Sequence, residues 1–386
     1  MVIAILGTFH GCIVSNSFKG IAGEEGAPSA MKIPSLVGAR PQIIKEAVLN
    51  KEFQKAGINE ILVHSGQHYD YNMSDVFFKV LDIRQPDYNL NVGSGTHAEM
   101  TGKIMTKFEK VVLKEKPDFI LVYGDTNTTL AGSLVGAKLK IPVAHVEAGL
   151  RQKPKDMPEE INRIVTNHVS SLLFCPSQLA VENLKKEGIV QGVHFVGDVM
   201  YELFLKMKPY FTYELIEQLG LKENSYIVCT IHRDFNTDVK ESLETIFKEL
   251  SEIAREMKVV FPIHPRTRKR IAEFGLYDYA RNLTLIDPVD YLTMMGLVEK
   301  SLCVITDSGG LQKEAYWCGK RAIVVMPDTG WRELIESGWN RLAEPGKIRE
   351  TLNELLKSEE VDHPKNVYGK GDSSQRTVRI LQKYVH

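Results

Sequence analysis

Carboxylates, histidines and arginines recur in this chain directly after short apolar runs. The segments with this form are residues 122–127, 144–151, 158–163 and 230–233. In an open α/β sheet, ligands bind in the crevice outside the carboxyl ends of the strands, so charged side chains placed there face a substrate. The pattern therefore predicts an enzyme.

Composition limits the class of protein and of partner. The chain has 386 residues, of which 43% are hydrophobic, and this length favours two or more domains with buried cores. The formal net charge is -1, so we expect neither a nucleic acid nor an anionic membrane as a partner. The five cysteines are scattered without a CxxC pair, which argues against a zinc site or a disulfide framework and favours the cytoplasm.

The first thirty residues need a separate interpretation. Residues 1–14 are apolar, but they are too short to span a bilayer and no basic region precedes them. A signal peptide is the alternative that this comparison leaves open. We predict that residues 1–30 form an extension outside the fold, because a strand-like run begins at Met31.

From Met31 onward, short apolar runs alternate with longer amphipathic ones, which is typical of parallel sheets covered by helices. Predicted strands of a first sheet are 33–37, 60–64, 119–123, 143–146 and 172–175, and those of a second are 226–231, 259–263, 283–286, 303–306 and 322–325. We expect an N-terminal Rossmann-like domain at 31–200, a C-terminal Rossmann-like domain at 201–365, and a C-terminal segment at 366–386 that packs back on the first domain. The active site is expected in the cleft between the domains.

Two segments have the form of an anion site. Ser308, Gly309 and Gly310 follow a predicted strand and begin a helix, where backbone N–H groups and the helix dipole favour a phosphate. Glu314, one turn later, could accept hydrogen bonds from ribose hydroxyls. An ordinary capped turn is the alternative, because serine and aspartate cap helices routinely.

The matching element of the first half carries Arg40 and Lys45, with Pro41 suited to the first helical turn. These two cations could flank an anion across the cleft, although surface cations are usually only solvated. Together with the turn at Ser308 they suggest a nucleoside diphosphate. The glycine patterns of dinucleotide-binding and P-loop proteins are missing from the sequence, so neither a nicotinamide cofactor nor P-loop chemistry is predicted.

Asp125, Glu147 and Glu159 are the candidate acid/base groups. Acids that converge on a cleft repel one another, and we expect this repulsion to raise their pKa values toward neutrality. For Glu160 and Arg163 the structural alternative is an i,i+3 salt bridge, and for Asp125 it is a helix cap.

Histidines complete the candidate site. His232 ends a predicted strand and could reach a leaving phosphate, while His264 and Arg266 belong to a basic turn after the next strand. We favour His232, and we expect one of the two histidines to be an ordinary loop or core residue.

These motifs together resemble the non-hydrolysing UDP-N-acetylglucosamine 2-epimerases. The resemblance extends from Met31 to the C-terminus and is carried by GARPQIIK, GQHYDYNM, YGDTNTTLAG, HVEAGLR, MPEEINR, VGDVM, HPRTRKR and TDSGGLQKEA. It implies an α/β fold of two Rossmann-like domains whose parallel sheets face each other across a cleft, the glycosyltransferase-B arrangement, and it suggests a homodimer.

The resemblance also implies site residues and a reaction. Asp125, Glu147, Glu159 and His232 would be catalytic. Residues implied to bind the UDP-sugar are Arg40, Lys45, Arg163, His264, Arg266, Ser308, Gly309, Gly310 and Glu314. The reaction would eliminate UDP, form a 2-acetamidoglucal and add UDP back with inversion at C2, and it needs neither a metal nor a cofactor.

The chain departs from the family at several positions. Phe235 replaces a carboxylate, residues 326–331 lack a usual Arg and Glu, and residues 367–371 alter a loop. Of the bacterial effector site, Gln67 and His68 match whereas Asp70 replaces a glutamine, so we do not predict allosteric activation.

Three alternatives stay open. GARPQ and VGDVM also resemble the subgroup acting on UDP-2,3-diacetamido-2,3-dideoxyglucuronate, whose carboxylate would need a cation from Arg151, Lys153, Lys155 or Arg266. A glycosyltransferase could use the same scaffold. A non-catalytic nucleotide-sugar-binding protein is the third.

Overall fold

The computed structural model describes residues 30–66, 79–358 and 361–385. Predictions made for residues 1–29, and for Gln67, His68 and Asp70, lie outside the described residues. A compact unit begins at Met31.

The first half of this unit is built on a sheet of seven parallel strands in the order β3-β2-β1-β4-β5-β6-β7. Its strands are β1 (Lys32–Val37), β2 (Asn59–Gly66), β3 (Tyr88–Val92), β4 (Ile120–Tyr123), β5 (Val143–Val146), β6 (Leu172–Cys175) and β7 (Val193–Phe195). Its helices are α1 (Arg40–Lys55), α2 (His97–Glu115), α3 (Asn127–Leu139), α4 (Pro158–Val169) and α5 (Gln178–Lys186). The central strands β4, β5 and β6 are fully buried and, except for His145 in β5, apolar, as expected for a sheet covered on both faces.

The second half is built on six parallel strands in the order β10-β9-β8-β11-β12-β13. Its strands are β8 (Tyr226–Thr230), β9 (Lys258–Pro262), β10 (Thr284–Ile286), β11 (Cys303–Thr306), β12 (Ala322–Val324) and β13 (Arg341–Leu342). Two facing parallel sheets confirm the predicted fold class. Every predicted strand is present to within one or two residues, whereas the edge strands β3, β7 and β13 were missed.

The halves are connected by α6 (Val199–Met207), a short 3-10 turn (Lys208–Tyr210) and α7 (Glu214–Gln218). The remaining helices are α8 (Asp234–Thr237), α9 (Lys240–Ile253), α10 (Pro265–Phe274), α11 (Tyr277–Ala280), α12 (Tyr291–Lys300), α13 (Leu311–Trp317), α14 (Arg332–Glu336), α15 (Ile348–Lys357) and α16 (Ser373–Val385). None of the described helices is long and apolar enough to cross a membrane.

The turn from β1 into α1 is held by Gln42. Its Oε1 accepts hydrogen bonds from the backbone N–H groups of Gly38 and Ala39 at 2.8 and 3.0 Å, and its Nε2 donates to the carbonyl of Tyr123 at 2.7 Å. Pro41 lies in the first turn of α1, where its missing N–H costs no helical bond. These contacts fix the direction of α1, which carries Arg40 and Lys45.

The C-terminal helix α16 contacts the start of α6. Ser374 donates from its backbone N–H and its hydroxyl to the buried carboxylate of Glu202, at 2.9 and 2.7 Å, and the ring of Tyr384 lies 5.2 Å from that of Phe119. The end of the chain is therefore packed on elements of the first half.

Candidate active site

A cleft of about 780 Å³ opens between the carboxyl ends of the two sheets. Asp125, Glu159 and Arg163 line it from the first half, and Arg233 and Phe235 line it from the second. Polar groups of opposite charge therefore meet at the position where a parallel sheet binds its ligands.

Asp125 leaves β4 and forms an ion pair with Arg163 on α4. The Asp125 Oδ2 to Arg163 Nη2 distance is 2.5 Å, and Arg163 Nη1 lies 2.8 Å from Glu160 Oε2. Burial opposes the charge of Arg163, but Asp125 and Glu160 together raise its pKa. The expected i,i+3 bridge is thus present, and the helix-capping role considered for Asp125 belongs instead to the Thr126 hydroxyl, which accepts from Thr129 N–H at 3.4 Å.

Glu147 lies behind this pair in a buried turn after β5. Its φ of 70° is in the left-handed region, which side-chain-bearing residues adopt rarely and mostly at functional sites. Lys45 Nζ lies 2.7 Å from Glu147 Oε2. Burial opposes ionisation, but Lys45, Lys313 and Arg163 outweigh it and hold the pKa of Glu147 below its usual value. The expectation that mutual repulsion raises this pKa is therefore wrong for Glu147, because its carboxylate is paired with the ammonium of Lys45.

Glu159 is exposed in the first turn of α4 and lines the open cleft. It shares this wall with Asp125, while Glu147 and Lys45 line a much smaller cavity beside it. The structure thus places two carboxylates on the open cleft and one in the wall behind it.

His232 is oriented by Asp307, a fully buried carboxylate at the end of β11. Asp307 accepts from the backbone N–H groups of His232 and Arg233 at 3.0 and 2.9 Å and from Asn236 Nδ2 at 3.1 Å. The Nδ1 atom of His232 lies 3.3 Å from Asp307 Oδ1. Burial lowers the pKa of His232, against the effect of Asp307, and so favours a neutral ring. Sequence reasoning missed Asp307, although it stands directly before the predicted Ser308 turn.

A second pocket of about 250 Å³ adjoins His232 in the second half. His264, Ser308 and Glu314 line it with His232, and its apolar wall is formed by Ile231, Pro262, Pro288, Val289, Met294 and Leu311. Burial raises the pKa of Glu314 to about 7. An apolar wall beside a few polar groups has the composition of a small-molecule site.

Two of these residues also have ordinary capping roles. The hydroxyl of Ser308 accepts from Leu311 N–H at 3.2 Å, and Nδ1 of His264 accepts from Arg266 N–H at 3.1 Å. Arg266 is exposed, 3.9 Å from Asp238, and Arg40 is exposed at the start of α1. The structure therefore gathers Ser308, Glu314 and both histidines in one pocket, and it leaves Arg40 and Arg266 outside the residues that line either pocket.

A buried ion pair joins the connector to the second half. Lys313 Nζ on α13 lies 2.5 Å from Asp198 Oδ2, and the two side chains are 5% and 2% exposed. The same ammonium lies 3.4 Å from the ring centroid of Trp331, within cation–π range. Asp198 lines the same small cavity as Lys45 and Glu147, so the pair of Asp198 and Lys313 lies next to the pair of Lys45 and Glu147. Sequence reasoning missed it, since nothing local distinguishes Lys313 from a solvated lysine.

Two of the three departures noted in the sequence reach the cleft, which is lined by Phe235 and Met326, whereas residues 367–369 line a separate pocket. Phe235 is partly exposed on the cleft wall, and Asp328 accepts from Lys153 N–H at 2.7 Å and pairs with Arg332 at 2.5 Å. The loops of the two halves are thus bonded to each other here. Arg151, one candidate cation for a carboxylated sugar, is held by both oxygens of Glu187 at 2.6 Å.

Among the described residues, no group of three or more His, Cys, Asp or Glu side chains could hold a metal ion.

Comparison with known proteins gives a consistent result. A family model described as UDP-N-acetylglucosamine 2-epimerase matches residues 51–382. A UDP-N-acetylglucosamine 2-epimerase homolog of Methanococcus maripaludis is 44% identical over 360 residues, which are 91% of this chain and 99% of that protein. The UDP-2,3-diacetamido-2,3-dideoxy-D-glucuronate 2-epimerase of Pseudomonas aeruginosa is 43% identical over 362 residues, which are 92% of this chain and 100% of that protein.

A solved structure extends the likeness to three dimensions. The crystal structure of the Methanocaldococcus jannaschii UDP-GlcNAc 2-epimerase in complex with UDP-GlcNAc and UDP superimposes with a TM-score of 0.79 at 40% identity, covering 92% of this chain and 100% of that one.

Proposed function

The chain belongs to the UDP-N-acetylglucosamine 2-epimerase family, and we propose that it interconverts UDP-N-acetylglucosamine and UDP-N-acetylmannosamine. One observation carries this proposal. A cleft lined by Asp125 and Glu159 lies beside a pocket that carries His232, Ser308 and Glu314, so acid/base groups adjoin a nucleotide-sized site.

In this proposal UDP occupies the 250 Å³ pocket of the second half. Its apolar wall would take the base, Glu314 would accept from the ribose hydroxyls, and residues 308–310 would face the diphosphate. The arriving diphosphate favours a protonated His232, because a nearby negative charge raises the pKa of an imidazole that burial alone lowers. His232 would then donate to the leaving phosphate oxygen, while its other ring nitrogen faces Asp307.

The chemistry follows from the acidity of C2–H, which is low in an intact sugar. As the C1–O bond to UDP breaks, positive charge develops at C1 and the C2 proton becomes removable by a carboxylate. UDP leaves with the bonding pair, and a 2-acetamidoglucal remains. Addition of UDP to C1, with protonation of C2 on the opposite face, gives the epimer and restores the proton count.

We assign the proton transfers to Asp125 and Glu159, which line the cleft, together with Glu147. Arg163 would hold Asp125 in place through its 2.5 Å ion pair. Lys45, which pairs with Glu147 at 2.7 Å, would keep that carboxylate charged, and this contact also orients Lys45 away from solvent. Arg40 and Arg266 would have to approach the nucleotide by closure of the cleft.

The diacetamidoglucuronate is the second candidate substrate, favoured by the 43% identity to the Pseudomonas aeruginosa enzyme. Its extra carboxylate calls for a cation in the cleft. Arg151 is occupied by Glu187, which leaves Arg233 on the cleft wall as the structural candidate for that contact.

Proton NMR in deuterated water tests the proposal with purified protein and UDP-N-acetylglucosamine. The expected result is a manno product that carries deuterium at C2. Asp125→Asn should lose the exchange, whereas Asp156→Asn, which changes an exposed aspartate outside the lining of the cleft, should retain it. Turnover of the diacetamidoglucuronate alone would replace the substrate, and inertness toward both sugars would favour a transferase or a binding protein.

We also propose a homodimer that works in the cytoplasm. The described cysteines, Cys175, Cys229, Cys303 and Cys318, are all free thiols, which suits a reducing compartment. Light scattering after size exclusion would give twice the 43.5 kDa chain mass for a dimer.

A further inference from the structure

His97, the first residue of α2, lines the same cleft as Asp125 and Glu159 but has no part in the reaction described above. It is exposed, and its only hydrogen bonds within the described parts of the chain are made by Nδ1 to the side-chain amide of Asn127. Asn127 is the first residue of α3 and therefore follows Asp125 closely.

The direction of the hydrogen bonds around Asn127 is set by a backbone carbonyl. Asn162 Nδ2 donates to the carbonyl oxygen of Asp125 at 2.9 Å, so the amide of Asn162 has one orientation. The same NH₂ group lies 3.3 Å from Asn127 Oδ1, which accepts from it. The NH₂ group of Asn127 is thereby turned to His97, at 3.0 Å from Nδ1.

This direction determines the tautomer of His97. An amide NH₂ only donates, so Nδ1 of His97 is the acceptor, and in the neutral ring the proton lies on Nε2. A protonated ring would place an N–H opposite the NH₂ of Asn127 and lose that contact, leaving only Asn127 Oδ1 at 3.4 Å. In the neutral ring, the network thus presents Nε2–H as a donor at the edge of the cleft.

We propose that His97 is a substrate-binding residue of this cleft, whose Nε2–H donates a hydrogen bond to an uncharged oxygen of the sugar, a hydroxyl or an acetamido carbonyl. This inference rests on the proposed function and adds a sugar-binding residue to it. Both candidate sugars carry hydroxyl and acetamido oxygens, so this contact is available to either of them.

The test compares His97→Leu and His97→Gln with the unchanged protein. Calorimetry measures the Kd of UDP and of UDP-N-acetylglucosamine separately, because UDP lies against the second half and the sugar lies in the cleft. Loss of one hydrogen bond corresponds to about a tenfold change in Kd. We expect His97→Leu to raise the Kd of UDP-N-acetylglucosamine by about that factor, and His97→Gln to recover part of the lost affinity through its amide donor. The Kd of UDP should change by no more than about twofold in either variant.

A matched control is His168→Leu, which changes an exposed histidine of α4 whose ring bonds only the carbonyl of Ile164 among the described residues. It should alter neither Kd. In the NMR assay, His97→Leu should also lower kcat/KM for UDP-N-acetylglucosamine, whereas His168→Leu should not.

Two results would overturn the role of His97. One is an unchanged Kd for the nucleotide sugar in both variants, and the other is an equal loss of UDP and nucleotide-sugar affinity, which would indicate a structural role. The titrations are made in the Asp125→Asn background, which is expected to lack turnover, so these results do not depend on epimerase activity. If the unchanged protein converted neither sugar, that result would instead refute the proposed function.

Discussion

Lys313→Gln would remove the cation from the most buried ion pair of the site. Its partner Asp198 is 2% exposed and, within the described residues, would keep a hydrogen bond only from the backbone N–H of Met200, at 2.8 Å. Breaking a buried pair from one side costs about 3–5 kcal/mol, because the remaining charge is neither solvated nor paired. The contact of the Lys313 ammonium with the Trp331 ring would be lost as well, and this loss is included in the same cost of about 3–5 kcal/mol.

The measurement is the change in Tm by differential scanning calorimetry. At about 2.1 cal/mol/K of unfolding entropy per residue, a chain of 386 residues loses about 1.2 °C per kcal/mol, so the expected decrease is about 4–6 °C. The double variant Asp198→Asn with Lys313→Gln leaves no charge at either position of the pair and should recover at least half of the decrease. Lys347→Gln is the surface control, because Lys347 pairs with Glu350 at 2.6 Å while 64% exposed, and it should change little.

A decrease of less than about 2 °C for Lys313→Gln would refute the prediction. It would mean that the Asp198 carboxylate is solvated or accepts a new hydrogen bond in the variant. A double variant no more stable than the single one would refute it as well. In that case the loss would come from packing against Trp331 and not from the unpaired carboxylate.

Three further changes test other parts of the site. Gly38→Ala should lower Tm in a thermal melt, because its new Cβ would overlap the hydroxyl of Ser65. In the same melts Gly102→Ala should raise the free energy of unfolding by up to about 1 kcal/mol, because the new methyl group lies in open space on a helix. UDP affinity should fall between pH 6 and 8, because the Glu314 carboxyl has a pKa of about 7 and repels the diphosphate once it is ionised, and Glu314→Gln should reduce this fall. The same pH dependence of the calorimetric Kd in both proteins would contradict this. Lys45→Met should raise the depressed pKa of Glu147, so the acid limb of kcat/KM should move to higher pH, and a stationary limb would show that Lys45 does not hold that charge.

Strand prediction succeeded where burial makes the pattern obligatory. The central strands β4 and β6 are continuous apolar runs because both faces of a covered parallel sheet are buried. The edge strands β7 and β13 have only three and two residues of intermediate burial, so their composition resembles that of a loop. Pairing with an already formed neighbour makes them strands, and pairing is not visible in local sequence.

For the site, the sequence by itself determined which chemical groups stand at the strand ends. Asp125, Glu147 and His232 follow apolar runs, and that local order brings them to one edge of each sheet. It also sufficed for the Ser308 turn, because strand, glycines and helix are consecutive there.

The tertiary structure alone decided what each of these groups meets. Lys45 was expected to face an anionic ligand, yet it pairs with Glu147 at 2.7 Å, and this contact reverses the expected direction of the Glu147 pKa. Asp198 and Lys313 are 115 residues apart and form a buried pair that the local sequence of neither segment predicts. Charges interact through space over a few ångströms, so their partners, and with them their ionisation, follow from packing and not from order along the chain.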